Sequence, residues 1–177
     1  MTPLAYTSTG LADADALHLV VRASRAILGE LPRRLTVQAV ADELGVRTIE
    51  LEAAFARLNT SVRLFMRVAR LMKLHQQLRS GQVESVGTAF ARWGFPPRSG
   101  EVAADYGFLF GEAPEATLAS TVDSFSQRHV ALADDDDLTP VIEALARLAR
   151  RPLPGGGIRY IAVPPPMPAF IHSISID

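Results

Sequence analysis

Between residues 36 and 111 the chain repeats one piece of punctuation. A small hydroxyl residue opens an apolar run and a glycine closes it: Thr36 to Gly45, Ser61 to Gly81, Ser85 to Gly94, and Ser99 to Gly111. Serine and threonine side chains accept the orphan N–H groups of a helix's first turn, and glycine adopts the left-handed conformation that ends a helix without steric cost. A chain marked this way has little choice but to fold as a series of short α-helices. The longest run, "SVRLFMRVARLMKLHQQLRSG", reads as one uninterrupted helix about 27 Å long at 1.5 Å per residue.

Apolar spacing fills in the elements. Residues 12–31 carry Ala16, Leu17, Val20, Val21, Ile27 and Leu28 at helical intervals, with Ser24 as a small step between, and Gly29 and Pro32 end the run. In "LTVQAVADELGV", Thr36 is the N-cap and Val37, Val40, Ala41 and Leu44 share a face. "RTIELEAAFARL" follows the Gly45 turn, with Ile49, Leu51, Ala54, Phe55 and Leu58 as the expected buried set. The long helix buries a stripe of Leu64, Val68, Leu71, Met72 and Leu78. Beyond it, Ser85 opens a short helix through Ala91 and Gly94 makes a turn. Ser99 opens a further helix with Val102, Ala103, Tyr106, Leu109 and Phe110 as its apolar face. One helix–glycine turn–helix unit is no more than an αα-hairpin; the same layout on both sides of a long helix is far more specific.

Charge narrows the partner. The formal net charge over 177 residues is −1, so nothing global announces a polyanion. Its distribution is uneven. No acidic residue lies between Glu52 and Glu84, an interval holding Arg57, Arg63, Arg67, Arg70, Lys73 and Arg79. One-signed charge on a helical face suits phosphates. The chain has no cysteine, and its histidines His18, His75, His129 and His172 lack metal-ligand spacing. No cofactor, metal or catalytic constellation is expected: His172 and Ser173 adjoin, but no third group can be named for hydrolysis. No apolar run approaches a membrane span and no signal segment opens the chain, so the reading is a soluble, cytoplasmic protein without membrane contact.

At this point the chain resembles the DNA-binding domain of the AraC/XylS family of transcription regulators, over residues 12–118. The resemblance rests on Leu35-Thr36, Ala41 with Leu44-Gly45-Val46, Leu51 and Phe55, Arg70-Leu71, then Gly94-Phe95, Tyr106, Phe110-Gly111 and Pro114. It implies a mainly α fold of two helix-turn-helix subdomains, residues 11–60 and 82–120, on a linker helix at 61–80, after a leader at 1–10. It also implies double-stranded DNA as partner, with two reading helices in successive major-groove segments about one turn apart. Carried onto this sequence, the DNA-contacting candidates are Arg47 and Thr48 at the start of the first reading helix, Glu52 within it, and Arg57, Arg63 and Arg67 for the backbone. Arg98 and Ser99 stand at the start of the second reading helix. Glu50 and Glu52 either face water or accept from cytosine N4. Trp93 is expected to pack between the subdomains.

The chain departs from the family pattern at Ile49, Glu52 and Ala53, where no arginine can bond guanine O6 and N7. Ala104, Asp105 and Gly107 replace polar or basic residues in the second reading helix, Pro96-Pro97 delays that helix, and Val62 stands at the family's usual proline. Residues up to Ser120 carry thirteen Arg or Lys against twelve Asp or Glu, a low balance for a phosphate binder. Two functions are therefore expected in competition. One is a stand-alone, sequence-specific transcriptional regulator, since only about ten residues precede the first helix. The other is a degenerate module of the same fold that binds another regulator or RNA polymerase.

Residues 121–177 form a C-terminal extension. The acidic run Asp134 to Asp137 lacks the glycine-spaced loop of a calcium site and precedes a helix N-terminus, where negative charge is stabilising by itself. "TPVIEALARLARR" is the helix, opened by Thr139 with Pro140 at its first position. "GIRYIAV" and "AFIHSISI", separated by prolines, are β-prone. They pair as a hairpin through which copies could associate, or add to a partner's sheet edge.

Overall fold

A computed structural model describes residues 8–31, 35–123 and 138–151. These form eight α-helices and, among the described residues, no strand: α1 (Ser8–Glu30), α2 (Val37–Leu44), α3 (Thr48–Arg57), α4 (Val62–Arg79), α5 (Val86–Arg92), α6 (Gly100–Phe110), α7 (Pro114–Asp123) and α8 (Thr139–Ala149). The mainly α class expected from the sequence is what is observed. The β-prone runs, Asp134 to Asp137, and the His172-Ser173 pair lie outside the described residues. None of the helices is long and apolar enough to cross a membrane.

The hydroxyl punctuation works as chemistry requires. The side-chain oxygens of Thr36, Ser61, Ser85 and Ser99 accept the N–H groups of Ala39, Leu64, Thr88 and Val102 at 3.1, 3.2, 3.1 and 3.3 Å. Each such cap is worth about 1 kcal/mol. The two short helices α2 and α5 end alike. Gly45, at φ 68°, follows α2, and the Val46 N–H reaches back to the Ala41 carbonyl at 3.0 Å. Gly94, at φ 75°, follows α5, and the Phe95 N–H reaches the Phe90 carbonyl at 2.9 Å. Both are Schellman closures. Asn59, at φ 54°, closes α3 the same way, through the Thr60 N–H and the Phe55 carbonyl at 3.1 Å.

Helix α4 is the hub. It packs on α1 and α3 and also on α5, α7 and α8, while α1, α2 and α3 pack on one another and α6 packs on α7 and α8. Its buried side chains, Val62, Leu64, Phe65, Met66, Val68, Ala69, Leu71, Leu74 and Leu78, wrap far around the helix rather than forming the single stripe expected. A helix covered from several sides must be apolar on several faces. Around its first half lie Ile27, Val40, Ala41, Leu51 and Phe55, and Phe55 meets Phe65 edge-on at 5.9 Å.

The structure revises several details. Ile49 is not in the core but 68% exposed. Helix α1 starts at Ser8, inside the stretch expected as leader. Helix α7 was not anticipated; it begins with Pro114, a residue suited to a helix's first turn. Thr139 is already helical, with Leu138 flanking α8 and no side-chain cap. Nor does α8 hang apart from the rest: Val141, Ala144, Leu148 and Ala149 are buried against α4 and α6.

Candidate nucleic-acid interface

The first turns of α2, α3 and α6 meet over the flank of α4 and leave a cleft of about 910 Å³. Its walls are Thr36, Val37 and Gln38 from α2, Thr48 and Glu52 from α3, and Phe95, Pro96, Ser99, Glu101 and Val102 from the second half. Arg63, Arg67 and Arg70, one face of α4 at steps of four and three, form its floor. A turn of α3 and a turn of α6 thus open toward the same space, and each carries the positive end of a helix dipole.

Five of the eight candidate residues come together here: Thr48, Glu52, Arg63, Arg67 and Ser99. Arg47, Arg57 and Arg98 are exposed but do not line the cleft. Thr48 donates to the Gln38 side-chain oxygen at 2.7 Å, which ties the start of α3 to α2, and Gln38 in turn donates to Asp42 at 2.6 Å. Ser99 is the N-cap of α6. Glu52 and Arg63 are exposed, with no ion-pair partner among the described residues.

The guanidinium of Arg47 is bound within its own helix turn. Its Nε and a terminal nitrogen donate to one Glu50 oxygen at 3.0 and 2.6 Å, while the Arg47 backbone N–H donates to the other at 3.0 Å. Those side-chain bonds, then the backbone bond, hold the Glu50 carboxyl below the usual carboxylate range; the same pairing pushes Arg47 up. Glu50 thus accepts the N-cap backbone N–H and the Arg47 guanidinium of its own helix start, which explains its presence without any ligand.

Arg67 is engaged as well. Its Nε donates to Asp105 at 2.6 Å, and a terminal nitrogen lies 2.5 Å from Asp105 and 3.0 Å from Glu101. Asp105 is fully buried and its other oxygen accepts from Arg151, just past α8. One carboxylate therefore joins α4, α6 and the end of α8. A buried carboxylate persists only when paired in this manner.

Arg70, counted in the basic run but not among the DNA-contacting candidates, completes the cleft floor. It is half-buried on the cleft floor, and burial draws its pKa below the ordinary value, though a guanidinium stays charged. Its one hydrogen bond among the described residues is a long one, 3.4 Å to the Leu35 carbonyl. Gly94 lies beside it: a Cβ there would be 3.9 Å from the guanidinium. Its place at step three from Arg67 was visible in the sequence; that Arg67 would be held by Asp105 and Arg70 left without a carboxylate was not.

Behind the cleft a polar chain runs through the second half. Glu112 can only accept, so Thr117 donates to it at 2.8 Å, Tyr106 donates to Thr117 at 2.8 Å, and His75 Nδ1–H donates to the Tyr106 oxygen at 2.7 Å. The His75 ring stacks on Phe110 at 4.0 Å. Burial, with the Arg79 charge, pulls His75 below its ordinary pKa against the pull of Glu112; burial pushes Tyr106 up to about 12. Trp93 donates to the Gln77 side-chain oxygen of α4 at 2.5 Å and packs on the core. Among the described residues no group of three His, Asp or Glu could hold a metal ion.

No family model, curated protein or solved structure gives a significant match to the chain.

Proposed function

We propose that this chain is a transcriptional regulator of AraC/XylS type that binds duplex DNA. In this reading α2–α3 and α5–α6 are two helix-turn-helix units on the linker α4, and α3 and α6 read successive major-groove segments. The observation that carries it is the common cleft: the N-terminal turns of α3 and α6 open on the same side of α4, over Arg63 and Arg70. Helix N-termini and unpaired guanidinium groups both favour phosphate. Phosphate contacts then come from Arg63, Arg70 and Arg98, and they position the protein without reading sequence. Arg67 is assigned to holding α6 on α4 rather than to DNA.

A second reading has its own support. The outward faces of α3 and α6 carry Ile49, Glu52 and Ala53, and Glu101, Ala104 and Phe108, with Arg57 in the last turn of α3 as the only cation within either helix. Such faces also suit a protein partner, another regulator or RNA polymerase, on a fold that no longer binds DNA.

Titration against random-sequence and genomic duplexes at several salt concentrations separates the two. A regulator holding about four phosphates gives a log–log salt slope of roughly −4 and a preference among duplexes. Absence of duplex binding even at low salt overturns the DNA reading and leaves the protein-binding one.

A further inference from the structure

Ile49 is the side chain that folding leaves least accounted for. At 68% exposure it and Phe108, at 39%, are the exposed large hydrophobic residues among those described, and they sit on α3 and α6. On α3, Ile49 shares its outward face with Glu52, Ala53 and Ala56 at helical steps, and all are exposed. The only guanidinium in the first turn is bound to Glu50.

We propose that α3 recognises thymine C5-methyl groups through Ile49 and Ala53, while Glu52 accepts a hydrogen bond from the N4 amino group of a neighbouring cytosine. This rests on the DNA reading above and names the bases that α3 selects. In the major groove only thymine offers a methyl group, and cytosine offers only a donor. An ionised carboxylate is acceptor-only, so it is satisfied by the cytosine amino group and repelled by guanine O6 and N7. The alanines at 53 and 56 are short enough to let the helix approach the base edges.

The surroundings favour a groove over a protein surface. Arg63 lines the same cleft as Glu52 and has no ion-pair partner among the described residues. A cation thus stands beside the stripe, where a groove would present a phosphate. The apolar patch is one isoleucine and two alanines, far short of the roughly 800 Å² per partner that a stable protein interface buries.

The test starts by enriching duplexes from a random library on the full-length protein at low salt. Each thymine of the enriched sequence is then replaced in turn by deoxyuridine, which removes only the methyl group. Wild-type protein should lose about fourfold in affinity at one or two adjacent thymines, the equivalent of about 0.8 kcal/mol for one buried methyl. Ile49→Ala should bind the thymine duplex correspondingly more weakly and be indifferent to deoxyuridine at those positions; Ile49→Val should keep most of the sensitivity. Glu52→Gln should lose preference at the adjacent cytosine. Because Ile49 and Glu52 are exposed, the variants should melt like the parent. Enrichment of a duplex whose affinity ignores every deoxyuridine and Ile49→Ala overturns the proposal while the DNA reading stands. So does an Ile49→Ala variant that keeps all duplex affinities and loses association with purified RNA polymerase. Failure to enrich any duplex overturns the DNA reading, and this proposal with it.

Discussion

Around Phe55, helices α1, α2 and α3 meet α4 through aliphatic and aromatic side chains, with Ser24 as their only buried polar residue among those described. Around Tyr106 the other half buries Asp105 and Thr117, and it ties α4, α6, α7 and α8 together with ion pairs and a directed hydrogen-bond chain. Apolar packing supplies stability with little direction, whereas a buried polar network is costly unless every member is satisfied in one geometry. The second half also carries Gly107 within α6, which weakens a helix, and Pro96-Pro97 before it, which delay its start. Its polar ties hold in place a helix that would otherwise be poorly specified.

The largest effects should come from breaking each half at its centre. In urea denaturation Phe55→Ala should cost about 3–5 kcal/mol by leaving a cavity, and Asp105→Ala about 1–3 kcal/mol by leaving the partly buried Arg67 and Arg151 guanidinium groups without their shared carboxylate. What separates them is the rescue. Changing Asp105 to Leu together with Arg67→Met and Arg151→Met should restore parental stability or exceed it, because well-packed apolar groups often replace a buried ion cluster without loss. A triple variant as unstable as Asp105→Ala would mean that the cluster's shape, not its charge, holds α8.

Tyr106→Phe should cost about 1–3 kcal/mol, since it leaves the His75 Nδ1–H and the Thr117 oxygen without their partner. Trp93 fluorescence, a probe confined to the second half, is the convenient readout.

A smaller, pH-dependent difference should distinguish the halves. His75 has its folded pKa lowered from an ordinary value of 6.5, so the folded state binds fewer protons than the unfolded one. Its contribution is therefore complete above about pH 6.5 and is lost as pH falls from there through the folded pKa. Between pH 7 and 5 the melting temperature of the parent should fall more than that of His75→Gln. Equal slopes would show that His75 does not titrate in this window.

The smallest effect concerns the first half's surface. Glu50→Gln frees Arg47 and removes a charge that a duplex would repel, so in the DNA reading it should raise duplex affinity and steepen the salt slope by up to about one. A weaker, less salt-dependent variant would place Glu50 in the contact itself.

The same contrast explains what the sequence disclosed. Caps at Thr36, Ser61, Ser85 and Ser99 and the glycine turns act over three or four residues, so α2, α4, α5 and α6 were legible from local chemistry, whereas α7 was not. The apolar core of the first half followed from periodicity, with one error that geometry explains. Ile49 and Leu51 lie roughly 200° apart around a helix, so a helix covered on one side cannot bury both. The polar core of the second half was not legible. Asp105 finds Arg151 at a separation of 46 residues, and nothing local to either marks the pair. Of the cleft, Thr48, Glu52, Arg63 and Ser99 were recognisable by position; which arginine stays unpaired depended on that same long-range contact.

Hydroxyl-radical footprinting on an enriched duplex tests most directly the proposal that both helix pairs grip one duplex. Two protected patches are expected on one face of the DNA, about one helical turn apart, with the second patch lost selectively in Asp105→Ala under conditions where the first half stays folded. A single patch, or no protection at concentrations that saturate binding, would contradict it.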